Sequence, residues 1–165
     1  MKANILFVVS VALFCFNPVI IAEMEDRAST SVIVVHHSAT DNGSAESFRS
    51  YHKSRGWDDI GYHFVVTNGS GGPDGEIQKG RALGKQGAHA KGRNSNSVGI
   101  CLVATDKFTV AQQDALIVLL AEMCQKYKIQ PSEKTIQRHH EQCPGSGLDL
   151  AKIIGQVKAQ MKAPK

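Results

Sequence analysis

Ser31-Val32-Ile33-Val34-Val35 is a run of mostly β-branched residues that ends in His36-His37. Branching at Cβ stiffens χ1 and favours extended backbone. A strand that is apolar at every position, rather than every second one, must be covered on both faces. Such a strand belongs in the middle of a sheet with further layers on either side.

The rest of the chain supplies those layers. Asp41-Asn42-Gly43-Ser44 is a turn, and Ser44 is placed to cap a helix running to about Arg55, which Gly56-Trp57-Asp58-Asp59 ends. Residues 62–67 form a second strand, 68–75 a Gly-rich turn and 76–78 a short return strand, so 62–79 is a hairpin. Residues 98–103 are the next central strand. Thr109 and Gln112 match a capping box, and the helix they start carries Leu116, Leu119, Leu120 and Met123 at helical spacing and ends near Tyr127. Residues 134–138 read as a short strand leading into His139-His140. A last helix from about Leu148 places Leu150, Ile153, Ile154, Val157 and Met161 on one stripe. Strands and helices interleave, which implies one α/β domain, spanning 30–162, with a central sheet.

Composition bounds the partners. The 165 residues are 42% hydrophobic and 21% charged, ordinary for a globular protein. A net charge of +4 is too small to argue for nucleic acid and suits an anionic cell wall equally well. Residues 1–22 read as a secretory signal: Lys2, an apolar stretch from Ile5 to Phe16, then Asn17-Pro18 and Ala22. A buried first helix and a retained anchor are the alternatives, and Phe14 before Cys15 argues against a lipoprotein site. The expectation is an exported chain, periplasmic or extracellular, monomeric and with no membrane span once the signal is removed. Three cysteines would then remain, Cys101, Cys124 and Cys143. An odd number leaves at least one outside any internal disulfide.

The placement of the histidines carries the chemistry. His36-His37 ends a buried strand, where side chains project from the carboxyl edge of a sheet. His139-His140 precedes Cys143, and Pro144-Gly145 turns the chain immediately afterwards. Two imidazoles and a thiolate with a fourth position open make a catalytic type of zinc site. His139 and Cys143 are four apart, the spacing at which one helical turn presents two ligands. A polar surface loop around a buried thiol is the alternative.

Val34-Val35-His36-His37-Ser38-Ala39-Thr40 and Arg55-Gly56-Trp57-Asp58-Asp59-Ile60-Gly61-Tyr62-His63-Phe64 resemble the opening motifs of the phage-lysozyme-like N-acetylmuramoyl-L-alanine amidases, a family that includes the peptidoglycan recognition proteins. Gly75-Glu76-Ile77 with Gly80-Arg81, then Gly87-Ala88-His89-Ala90-Lys91-Gly92-Arg93-Asn94, Ser97–Val103 and finally His139 with Cys143-Pro144-Gly145 continue the resemblance in order. It implies the type 2 amidase fold, a central mixed β-sheet flanked by about three helices. It also implies zinc-dependent hydrolysis of the amide between N-acetylmuramic acid and L-alanine in peptidoglycan.

By that resemblance His36, His139 and Cys143 hold Zn2+, with His140 an open alternative to His139. His37 falls on a non-ligand position, beside the metal or in the packing, because consecutive strand residues point to opposite faces. Tyr62 matches a residue beside the metal that can donate to a developing oxyanion. His89, with Asn94, matches the substrate groove. His52 and His63 read as structural, and Trp57 as a core anchor rather than a sugar platform. The chain departs from the family pattern before Cys143: the loop is short, and Glu141 stands where a cationic or hydroxyl residue is usual. Glu141 is therefore expected either to act as a base on the attacking water or to hold a ligand histidine. Cys143 as a ligand is unavailable for a disulfide, while Cys101 and Cys124 could pair or stand as separate buried thiols. A peptidoglycan-binding module without activity is the competing class. A structural zinc domain would need a fourth protein ligand.

Overall fold

A computed structural model describes residues 23–163. The signal reading of 1–22 lies outside the described residues. The elements run β1 (Val32–His37), α1 (Ala45–Ser54), β2 (Phe64–Val66), β3 (Ile77–Lys79), β4 (Ser97–Leu102), α2 (Val110–Tyr127), β5 (Ile136–Arg138) and α3 (Leu150–Lys162), with a 3-10 turn at Asn94–Asn96. They build one five-stranded mixed sheet in the order β3-β2-β4-β1-β5. β1 runs parallel to both β4 and β5, and β2 parallel to β4; the β2–β3 hairpin is antiparallel.

The β-branched run behaves as its composition requires. Ile33, Val34 and Val35 are all 0% exposed, because the sheet is covered on both faces. On one face Ile33, Val35, Phe64, Val66, Val98, Ile100 and Leu102 pack against α2 and α3 in the main core. On the other, Val65 and Val103 meet Ala45 of α1 and Ile60 in a much smaller cluster, with Phe48 and Tyr62 against it.

The helix starts follow local sequence. Ser44 caps α1 in a capping box with Ser47, and Thr109 caps α2 with Gln112. Gln112 is buried and its amide donates to the carbonyls of Val66 (3.1 Å) and Val103 (3.0 Å), joining α2 to the carboxyl ends of β2 and β4. Such buried carbonyls must find donors, and one side chain serves two strands.

Several expectations shift; β5, for one, starts at Ile136 rather than residue 134. α3 begins at Leu150, not Leu148, because Asp149 accepts from the Lys152 N–H as its cap, while Leu148 stays a buried loop residue. β2 starts at Phe64 rather than Tyr62. Trp57 is no core anchor: it is 43% exposed, lying flat on His52 with ring centroids 4.5 Å apart. Cys101, Cys124 and Cys143 are all free thiols and buried.

Candidate metal centre

His36 stands near the end of β1 and His139 immediately after β5. Because Val35 is registered against Arg138 in the parallel pair, the next residues along both strands stand side by side. The His139 N–H donates to the Val35 carbonyl (3.2 Å), and the two imidazole centroids are 4.5 Å apart. Cys143 arrives by a different route than a helical turn. His140 and Cys143 exchange backbone hydrogen bonds (3.0 and 3.3 Å) across Glu141-Gln142, a tight reversal that brings the thiol back over the strand ends. The short loop thus replaces the expected helical spacing with a two-residue turn. Ligand atoms of His36, His139 and Cys143 all lie within 4.8 Å of one another. His140 is exposed and is not part of this convergence; its Nδ1 accepts from the Gln142 N–H at 3.2 Å.

A hydrogen-bond chain orients His36. The Ser97 hydroxyl donates to the Arg93 carbonyl (2.6 Å), so its oxygen is left to accept from His89 Nε2 at 3.4 Å. That leaves His89 Nδ1 without a proton and able to accept from His36 Nε2, 3.0 Å away. His36 Nδ1 then carries the free lone pair that a metal ligand needs. Buried partners that fix a ligand tautomer in this way also fix the ring. His89 is 8% exposed and turned onto His36, although it still borders a cleft of about 370 Å³ lined by Trp57, Ala88, Ala90, Lys91 and Asn94. Asn94 accepts from the N–H groups of His89 (2.9 Å) and Ala90 (2.8 Å) and so shapes the wall of that cleft.

Electrostatics keeps the imidazoles in the neutral form. Burial first, then the neighbouring His89 and His139, hold His36 well below the usual histidine range. Burial and His63 hold His89 down to about 3. His139 is also lowered, by burial and then by His140 and Arg93. All three are neutral imidazoles near pH 7, as ligation or hydrogen-bond relay requires. Burial pushes the Cys143 thiol up, against a backbone hydrogen bond from His37 and the field of Arg138. Burial, with the neighbouring Cys101 and Cys143, raises the Tyr62 phenol. Its ring lies 5.2 Å from that of His36, so a protonated hydroxyl stands beside the cluster.

Two residues to which the sequence reading gave no role hold the frame. Arg93 donates to the His139 carbonyl (2.6 Å) and to Gln137 Oε1 (2.7 Å). Arg138 donates to the carbonyls of Gly145 and Leu148, bracing the loop beyond Cys143. Both are guanidinium groups spent on carbonyls, and nothing local in the sequence marks that role. His63 is structural, as expected: its Nδ1 accepts from the Gly99 N–H (2.9 Å) and its Nε2 meets the Lys85 carbonyl (3.0 Å). His52 accepts from the Gly61 N–H (3.1 Å). Glu141 is exposed in the turn and makes no hydrogen bond to His139 or His140, so the fold does not build the arrangement in which it holds a ligand imidazole.

Residues 26–146 match the family model described as N-acetylmuramoyl-L-alanine amidase. The endolysin of Escherichia phage T7 is 38% identical over 133 residues, covering 74% of this chain and 82% of that protein. Peptidoglycan-recognition protein SC2 of Drosophila melanogaster is 32% identical over 134 residues, 72% of this chain and 70% of that one. Among solved structures, the N-acetylmuramoyl-L-alanine amidase LysC from Clostridium intestinale URNW superposes with a TM-score of 0.74 at 28% identity, covering 83% of this chain and 91% of that one.

Proposed function

The chain belongs to the N-acetylmuramoyl-L-alanine amidase family and is an amidase of peptidoglycan; on that premise we propose that it works with a zinc ion held by His36, His139 and Cys143. The observation that carries the reading is the convergence of those three ligand atoms within 4.8 Å. The donor set fits the ion: two neutral imidazoles and a thiol that a metal would deprotonate, which is the three-ligand pattern of catalytic zinc. When bound, such a cation polarises the amide carbonyl and makes water acidic enough to attack near neutral pH.

The chain's own residues do the rest. His89 and Ser97 hold His36 with Nδ1 presented, and Arg93 holds the backbone of His139. Tyr62, kept protonated by burial, donates to the carbonyl oxygen as it gains negative charge. Glu141, exposed at the rim in the turn before Cys143, accepts a proton from the attacking water and returns one to the departing L-alanine amine. The cleft bordered by Trp57, His89 and Asn94 takes the glycan or its peptide stem. Peptidoglycan lies outside the cytoplasmic membrane, which accords with export of the chain and with the signal reading of 1–22. None of the described helices is long and apolar enough to cross a membrane. We read the working form as a monomer.

The test is digestion of purified peptidoglycan by metal-loaded protein with and without a chelator. New L-alanine amino termini should appear, vanish on chelation and return with zinc. Release that persists under exhaustive chelation would overturn the metal, and wall binding without release would leave a recognition module. Glu141→Gln should lower turnover by about 10²–10⁴-fold if Glu141 transfers the proton; unchanged turnover removes it from the mechanism.

A further inference from the structure

His37 is the cluster's unassigned neighbour. Strand parity places it opposite His36, on the side of Ile33 and Val35, and its backbone is still registered against Leu102 of β4. Over most of β1 that side is roofed by α2 and α3. At His37 the roof is instead the loop that carries Cys143, which Arg138 and Asp106 tie down: Asp106 accepts from the Gly147 N–H (2.9 Å) and from Ser146 Oγ. Under that roof His37 Nδ1 lies 3.3 Å from Cys143 Sγ, which the His37 backbone N–H also faces; the backbone donor stays in any side-chain variant, so only the imidazole's part is open to substitution. The same sulfur belongs to the group that converges with His36 and His139, while His37 does not.

We propose that His37 is a positioning residue for Cys143, donating its Nδ1–H to the sulfur and so setting how strongly the site binds zinc; the inference rests on the zinc reading above. A thiolate has no proton to give, so the imidazole must be the donor and the Nδ1–H tautomer is required. The bond does two things. It spreads part of the thiolate charge onto the imidazole, which leaves more positive character on the bound cation. It also holds the side chain of a residue carried on a two-residue turn, so that the sulfur is in place before the metal arrives. β1 thus contributes two consecutive imidazoles with different tasks. His36 is a ligand on one face, and His37 orients a ligand on the other.

The experiment is a zinc titration against a chromophoric chelator of the wild-type chain and of His37→Ala, His37→Phe and His37→Asn. A second readout is the thiolate-to-metal charge-transfer band of the cobalt-substituted proteins. Loss of the donor in Ala and Phe should weaken zinc about 10–100-fold and move the charge-transfer band to lower energy. Asn, whose Nδ2–H₂ can reach toward the sulfur, should recover most of both. Phe fills the ring's volume without a donor, so a Phe variant that binds like wild type would show that packing alone matters and overturn the proposal. So would an Asn variant no better than Ala. A wild-type chain that takes up no zinc would overturn the function proposed above, and this inference with it. Uptake of equal affinity in every variant overturns this inference alone.

Discussion

The two faces of the sheet bury side chains of different character, one apolar throughout and the other a mixture of apolar and polar. Along β1, β2 and β4 the residues facing α2 and α3 are Ile, Val, Phe and Leu throughout. The positions between them lie on the opposite face and include Val34, Val65, His36, His63, Gly99 and Cys101, with His89 and Tyr62 packed over the polar ones. Both faces exclude water, yet only the first gains from doing so at every residue. The second holds imidazoles that are buried at a cost and tolerated because each is hydrogen-bonded. One face makes the domain stable. The other spends part of that stability on a rigid, dry frame for ligands, as functional sites generally do.

Substitutions on each face should separate those roles. The largest effect on stability is expected on the apolar face. Leu120→Ala, at a position 0% exposed in the α2 core, should lower unfolding free energy by about 2–5 kcal/mol. Specific activity of the folded fraction should hold. Chemical denaturation beside an activity assay checks this, and a loss of turnover per folded molecule would break the division.

Tyr62→Phe should do the reverse. Removing the hydroxyl should cut kcat by about 10²–10³-fold, as loss of one oxyanion donor does elsewhere, with the unfolding midpoint nearly unchanged. A KM effect at constant kcat would place Tyr62 in substrate binding instead.

The polar face should also make stability depend on pH. His63 is held down to about 4, chiefly by burial, so the folded chain resists a proton that the unfolded chain accepts near 6.5. Its contribution is whole above pH 6.5 and shrinks as pH falls toward 4, by about 1.4 kcal/mol per unit and about 3 kcal/mol in all. His36 and His89 are lowered too and steepen the loss. Urea unfolding of metal-free protein at pH 7 and 4.5 measures the slope. His63→Asn should flatten it, and an unchanged slope would assign the acid sensitivity elsewhere.

The smallest effect concerns a single methyl group. A Cβ on Gly99 would fall 2.5 Å from the His89 ring, which must then move off His36. Gly99→Ala should cost about 1–3 kcal/mol by overpacking and weaken metal binding about tenfold or more by releasing the ring that orients His36. Zinc affinity equal to wild type would show that the His89 contact is dispensable.

Much of the fold, and the three residues whose donor atoms converge, was readable in the chain itself. The β-branched run, the Ser44 and Thr109 caps and the apolar stripe of α3 act over a few residues, and local physics placed them within a residue or two of the observed elements. His36, His139 and Cys143 were named from motifs. The arrangement among them was not, because it depends on contacts between residues far apart in sequence. That β1 pairs with β5 is a property of sheet order, and only this pairing sets His139 against His36. The reversal across Glu141-Gln142 looks in sequence like a helical spacing; backbone hydrogen bonds and the grip of Arg138 make it a turn. Likewise the chain from Ser97 through His89 to His36 joins residues more than fifty apart. Trp57 reads as core by type but stands at the surface with one face on His52. Local propensity determined which residues could bind a metal. Sheet order and the satisfaction of buried polar groups decided which lone pairs face one another.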